Sequence, residues 1–233
     1  MILLLAAMVA TAQRVDYKCT PEDVDLFGLT CSEDAPCPVL LELASFEQVG
    51  GRMFLTGNFH TGTSTLYGLL LVSEDGGKTW AEPAGRFKQS ALEQIQFSGF
   101  GNGWVAGVRL EPLPRDPFFL ITTDGGKTWR NRPMFEDTHA GSIGQFWFES
   151  NSAGELYLDS NRRYEVYQSM TGGESWELKE VTKQQPKLAK AKTGSDTWRL
   201  RADAPSKSYK LEQRTTQRWE AIATFPLLAG ECK

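Results

Sequence analysis

The sequence predicts an all-β protein, a small propeller of about four four-stranded blades, and three observations lead there. An eight-residue motif recurs: Ser73 to Trp80 reads SEDGGKTW, Thr122 to Trp129 reads TTDGGKTW, and Ser169 to Trp176 reads SMTGGESW. Its closing tryptophan returns once more, so that Trp80, Trp129, Trp176 and Trp219 follow one another at intervals of 43 to 49 residues. Each copy sits among short apolar runs parted by Gly, Asn, Asp and Pro, the pattern of brief strands joined by turns. Four short strands repeated roughly every 40–50 residues describe a propeller blade.

The elements follow in chain order. Ile2 to Ala10 is an uncharged apolar run of nine residues, and Ala10-Thr11-Ala12 has the small-x-small form of a cleavage site. A permanent membrane helix needs about 20 residues. The expectation is an export signal over residues 1–12, cleaved after Ala12, and a secreted or periplasmic product. Residues 13–37 form an acidic segment holding Cys19, Cys31 and Cys37, while Cys232 lies one residue from the C-terminus. Four cysteines in an oxidising compartment suggest two disulfides with three possible pairings. At least one bond should tie the beginning of the domain to its end, and Cys19–Cys31 with Cys37–Cys232 is the expected pairing. Without a CxxC pair, and with both histidines remote in sequence, no metal site is expected.

The propeller domain should occupy 38–233, with blades near 38–84, 85–134, 135–181 and 182–225 and a cysteine-bearing tail. Five blades would result if residues 13–36 added strands, and an open four-unit array is the alternative to a ring. In each unit the first strand is expected at Val39 to Leu43, Leu92 to Phe97, Ile143 to Phe148 and Leu188 to Ala191. The second falls at Met53 to Thr56, Trp104 to Ala106, Leu156 to Leu158 and Trp198 to Leu200. The third precedes the motif, at Tyr67 to Val72, Phe118 to Ile121, Tyr164 to Tyr167 and Tyr209 to Leu211, and the fourth starts at each tryptophan.

The motif has a local physical reason. Asp75 and Asp124 can accept hydrogen bonds from the amides of their own turn. The glycine pairs, including Gly77 and Gly126, supply positive φ. Thr79 and Thr128 begin the next strand, and Trp80 and Trp129 fold back over the corner. In the third copy Thr171 takes the aspartate's place between Ser169 and Gly173, ahead of Trp176. In the fourth, Arg214 and Thr216 stand where aspartate and glycine would, so that turn must differ.

This motif, S-x-D-x-G-x-T-W, resembles the Asp-box or BNR repeat. With Gly103-Trp104-Val105-Ala106-Gly107 as a "GWAVG"-like strand, the chain is similar to Asp-box propellers of the photosystem II stability and assembly factor type. The resemblance covers about Pro38 to Phe225. It implies the fold and, because sialidases, sortilin-type receptors and assembly factors share the box, leaves the function open. It also implies that Ser73, Asp75, Thr122 and Asp124 are structural, on the edge opposite the face where propellers bind.

Composition narrows the function. Apolar residues make up 40% and charged residues 23%, with seven tryptophans, which excludes a disordered tail or a fibrous rod. A net charge of −4 gives no global basic surface for nucleic acid. There is no GxSxG, HExxH, Walker or dinucleotide motif, hence no expected cofactor. Lys179, Lys183, Lys187, Lys190 and Lys192 cross a blade junction and read as a solvated edge. The loops of the face opposite the boxes vary in length, as recognition loops do. They carry Arg109, Arg115, Arg162 and Arg163, with His60 and His139. These six are the candidate binding residues, for carboxylates or another protein's acidic surface. The bland reading pairs the arginines with Asp116 and Asp159. The expectation is an exported, non-enzymatic binding or assembly module for a protein or glycan, with a carbohydrate-active hydrolase or lyase as the alternative.

Overall fold

A computed structural model describes residues 11–111, 115–160, 162–188, 197–216 and 218–233. The apolar run at the start of the expected export signal lies outside the described residues. So do Pro112 to Pro114, Lys190 and Lys192, and most of the first strand expected in the fourth unit.

The described residues are all-β apart from one short helix. Strand β1 (Thr11–Ala12) is followed by helix α1 (Pro21–Leu26). Thr20 and Asp23 close a capping box around its first turn, with proline at the start where no amide is needed. Residues 13–36 add no strand, so four sheets remain. The first blade is β2 (Cys37–Val49), β3 (Arg52–His60), β4 (Thr65–Ser73) and β5 (Arg86–Lys88). The second is β6 (Ser90–Ser98), β7 (Asn102–Arg109), β8 (Asp116–Thr122) and β9 (Arg130–Pro133). The third is β10 (Ser142–Phe148), β11 (Gly154–Ser160), β12 (Arg163–Ser169) and β13 (Glu177–Thr182). The fourth contains β14 (Trp198–Asp203), β15 (Ser208–Arg214) and β16 (Trp219–Pro226), with β1 added parallel to β16. The last strand, β17 (Leu228–Cys232), returns to pair with β2.

The middle strands β3, β4, β7 and β8 are buried nearly end to end because both their faces are covered by neighbouring blades. Three apolar clusters fill the junctions. One joins the fourth blade to the first through Leu41, Leu71, Trp198, Leu211 and Phe225. A second joins the first to the second through Phe54, Leu70, Leu92 and Phe118. The third joins the second to the third through Trp104, Phe119, Phe146 and Phe148, with the Trp104 and Phe148 rings stacked at 3.8 Å. Among the described residues no such cluster joins the third blade to the fourth.

Side-chain amides bridge the blades where ladders cannot. The inner strand of a blade has an edge without a neighbour in its own sheet, and its backbone groups need partners. Asn58 accepts from Leu92 N–H at 2.8 Å and donates to Leu92 O at 3.4 Å. Gln94 does the same for Phe146, at 3.1 and 2.9 Å, and Gln96 for Phe148, at 2.8 and 2.7 Å. On the first blade β17 serves this purpose with main-chain bonds.

The disulfides correct the expected pairing. They are Cys19–Cys232 and Cys31–Cys37. Cys37 and Cys232 do stand opposite each other across the β2–β17 ladder. However, a tight turn between Ser32 and Ala35 folds Cys31 onto Cys37. Tyr17 N–H donates to Ala229 O at 3.0 Å and thereby carries Cys19 to Cys232. One bond still ties the start of the domain to its end, as expected.

Candidate functional site

The two ends of the blades differ in what their side chains are free to do. At one end lie the turns after β4, β8 and β12. Asp75 accepts from the amides of Lys78 and Thr79 at 3.0 and 2.9 Å and from the Thr79 hydroxyl at 2.7 Å. Ser73 Oγ donates to Asp75 and accepts from Gly77 N–H. Asp124 repeats the pattern with Lys127, Thr128 and Thr122. These bonds, the Thr79 contacts first, pull the Asp75 carboxyl down to about 2, and Thr128 pulls Asp124 lower still. Trp80 and Trp129 donate their indole N–H to Gly77 O and Gly126 O, both at 3.1 Å. In the third turn Thr171 accepts from Ser175 N–H, and Trp176 stacks on Phe119. In the fourth, Thr215 bonds Arg218 and the Arg199 guanidinium lies 4.4 Å above Trp219. Both carboxylates are engaged in holding their turns.

The opposite end carries the loops after β3, β7, β11 and β14, together with α1. Two adjoining cavities of about 530 and 320 Å³ form a groove there, sharing Thr65, Leu110 and Arg115. The larger is bounded by Phe27, Thr63 and Glu111, the smaller by Glu93, Gly107 and Ser142. The inner strands β2, β6 and β10 each slip register, at Leu43/Ser45, Leu92/Ile95 and Ile143/Gln145. Such bulges re-aim side chains, and the one in β6 lies at Glu93, a wall residue of the groove. Burial, then the charge of Glu42, holds the Glu93 carboxyl above its ordinary value, while Arg115 pulls the other way.

The structure distributes the six sequence-predicted residues. Arg109 lies 3.5 Å from Asp116 and packs over Phe118. Arg163 and His139 converge on Glu165, at 2.7 and 2.8 Å, where Tyr167 also donates. Burial would raise the Glu165 carboxyl, but the bonds from His139 and Tyr167 outweigh it and hold it below the usual range. His60 Nδ1 is 3.0 Å from Thr61 O. Arg162 is exposed in a left-handed turn with φ of 77°. Arg115 alone of the six lines the groove, and its guanidinium has no ion pair among the described residues. The sequence reading did not single out Glu93, Glu165 or Thr65. For Glu93 a signal existed: Glu93-Gln94 interrupts the apolar alternation between Leu92 and Ile95.

Residues 120–131, which span the second of these corner turns, match the BNR/Asp-box repeat family. The chain thus carries a segment that matches the BNR/Asp-box repeat. The chain is 32% identical over 114 residues to an oligoxyloglucan-reducing end-specific xyloglucanase of Emericella nidulans, covering 46% of the chain and 14% of that enzyme. Among solved structures it is similar to YCF48 bound to D1 peptide, with a TM-score of 0.46 and 18% identity over 80% of this chain and 56% of that one. It is also similar to a GH74 enzyme of Niastella koreensis, with a TM-score of 0.41 and 17% identity over 62% and 22% of the two chains. The chain spans about half of the first of these structures and a smaller part of the two enzymes.

Proposed function

We propose that this Asp-box propeller is an exported, non-enzymatic binding module that docks a segment of another protein in the groove around Arg115. The observation that carries the reading is the shape of that groove. Two cavities adjoin on the loop face, sharing Thr65, Leu110 and Arg115 and bordered by hydroxyls, a guanidinium and short apolar side chains. Rigid strands on both sides supply the preorganisation that limits the entropic cost of binding. Two disulfides fit an oxidising compartment.

The test places a photoactivatable residue at Thr65, inside the groove, and another at Lys127, on an Asp-box turn. The reading expects a polypeptide from the native envelope to be captured at Thr65 and not at Lys127. Equal capture at both positions would overturn it. A second reading, a carbohydrate-active enzyme, is favoured by one observation. Glu93 and Glu42 set a readily protonated carboxyl near a second carboxylate, the pair of groups that glycoside hydrolysis uses. Release of reducing ends from xyloglucan oligosaccharides, lost in Glu93→Gln, would establish that reading in place of the first.

A further inference from the structure

The groove is unevenly charged. Among its described lining residues Arg115 is the one cation, whereas Glu93 and Glu111 are carboxylates. Glu42, on the neighbouring inner strand, adds its charge to that of Glu93. Two carboxylates therefore line the groove with one guanidinium, and the charge of a third, Glu42, reaches Glu93. The other arginines of this face do not redress the balance, because Arg109 and Arg163 are already engaged by Asp116 and Glu165, and Arg162 does not line the groove.

The position of Glu93 is fixed by its backbone. Thr56 Oγ1 donates to Glu93 O at 2.7 Å, and Asn58 holds Leu92 from both sides. The β6 strand therefore cannot slide to withdraw the side chain from the cavity wall. A carboxyl kept beside another carboxylate, and only partly offset by Arg115, lacks a counter-charge that a ligand could bring. An all-acidic segment could reach Arg115, but its remaining charges would lie against Glu93, Glu42 and Glu111. Like charges brought together at an interface are costly, and complementary ones set partner choice and register.

We infer that the groove selects a polypeptide segment of mixed charge, placing a partner lysine or arginine at Glu93 and Glu42 and a partner carboxylate at Arg115. This rests on the docking function proposed above and assigns Glu93 as its specificity-determining residue. Ionic strength should weaken the selection, since a solvent-reached pair is screened.

The experiment compares three fluorescently labelled peptides, hexaglutamate, hexalysine and an alternating Glu-Lys hexapeptide, by anisotropy with the full chain and its variants. The alternating peptide should bind about tenfold tighter than hexaglutamate, the size of effect a single well-placed charge pair produces. Glu93→Gln should erase most of that preference while retaining the native circular dichroism spectrum, and Arg115→Gln should weaken both Glu-containing peptides. Hexaglutamate binding as tightly as the alternating peptide would overturn the inference, as would a preference unchanged in Glu93→Gln. Failure of the docking reading would look different: none of the peptides would crosslink at Thr65, and Arg115→Gln would change no affinity.

Discussion

Replacing Gln96 by leucine tests whether side-chain amides hold the blades together. Gln96 is 5% exposed and makes two hydrogen bonds to Phe148, to its N–H at 2.8 Å and its C=O at 2.7 Å. Phe148 itself is 1% exposed, so water cannot take over either bond. Leucine preserves most of the volume, leaving two buried backbone groups without partners, at about 1–3 kcal/mol each. Some relaxation is to be expected, so a loss of about 2–4 kcal/mol follows. For a chain of this size each kcal/mol moves Tm by about 2–4 °C. Gln94→Leu is the companion test, because Gln94 makes the same pair of bonds to Phe146, which is 0% exposed. It should lose about 2–4 kcal/mol as well. Urea titrations read by tryptophan fluorescence, with disulfides intact, would give both values. The reasoning is refuted if either variant stays within about 0.5 kcal/mol of the parent.

Three further outcomes follow. Removing Cys19–Cys232, with a sequence separation of 213, should destabilise by about 5 kcal/mol on loop-entropy grounds, against about 2 kcal/mol for Cys31–Cys37, separated by 6; thermal melts of the paired serine variants compare them. Gly126→Ala should cost about 3 kcal/mol, because φ is +80° and the new Cβ would lie 2.7 Å from the Phe54 ring, whereas Gly76→Ala, at +73° in open space, should cost about 1 kcal/mol in chemical denaturation. Asp75 titrates below its unfolded value, so its contribution is full above about pH 4 and fades as pH falls towards 2. Asp75→Asn should therefore melt below the parent at pH 7 and converge on it near pH 2.

The repeating corners were plain in the amino-acid order because each is a local device. Ser73, Asp75, Gly77 and Trp80 lie within eight residues, and their hydrogen bonds never leave that window. Strand positions followed from apolar runs for the same reason. The outer strand of the first blade was less visible: Ala81 makes an isolated bridge to Val72, and regular pairing resumes only at Arg86. What could not be read depends on distant chain segments. No local rule tells Cys19 to reach Cys232 when Cys37 is directly opposite it. Likewise, Arg163 and His139 share Glu165 only because the connection after the second blade lies against the third. The groove residues Thr65, Glu93 and Arg115 come from three separate stretches, and only Arg115 carried a charge in a loop that sequence alone could single out.

The last strand has a consequence for how the molecule is made. β17 covers the edge of β2, yet the two are separated by most of the polypeptide. During synthesis the first blade emerges early with that edge bare, and it remains so until the ribosome has delivered nearly everything else. Such distant pairings form slowly, and unprotected edges invite other chains. Folding of the first blade should thus be limited by the arrival of β17, and products terminated before that strand should clump instead of accumulating in native form.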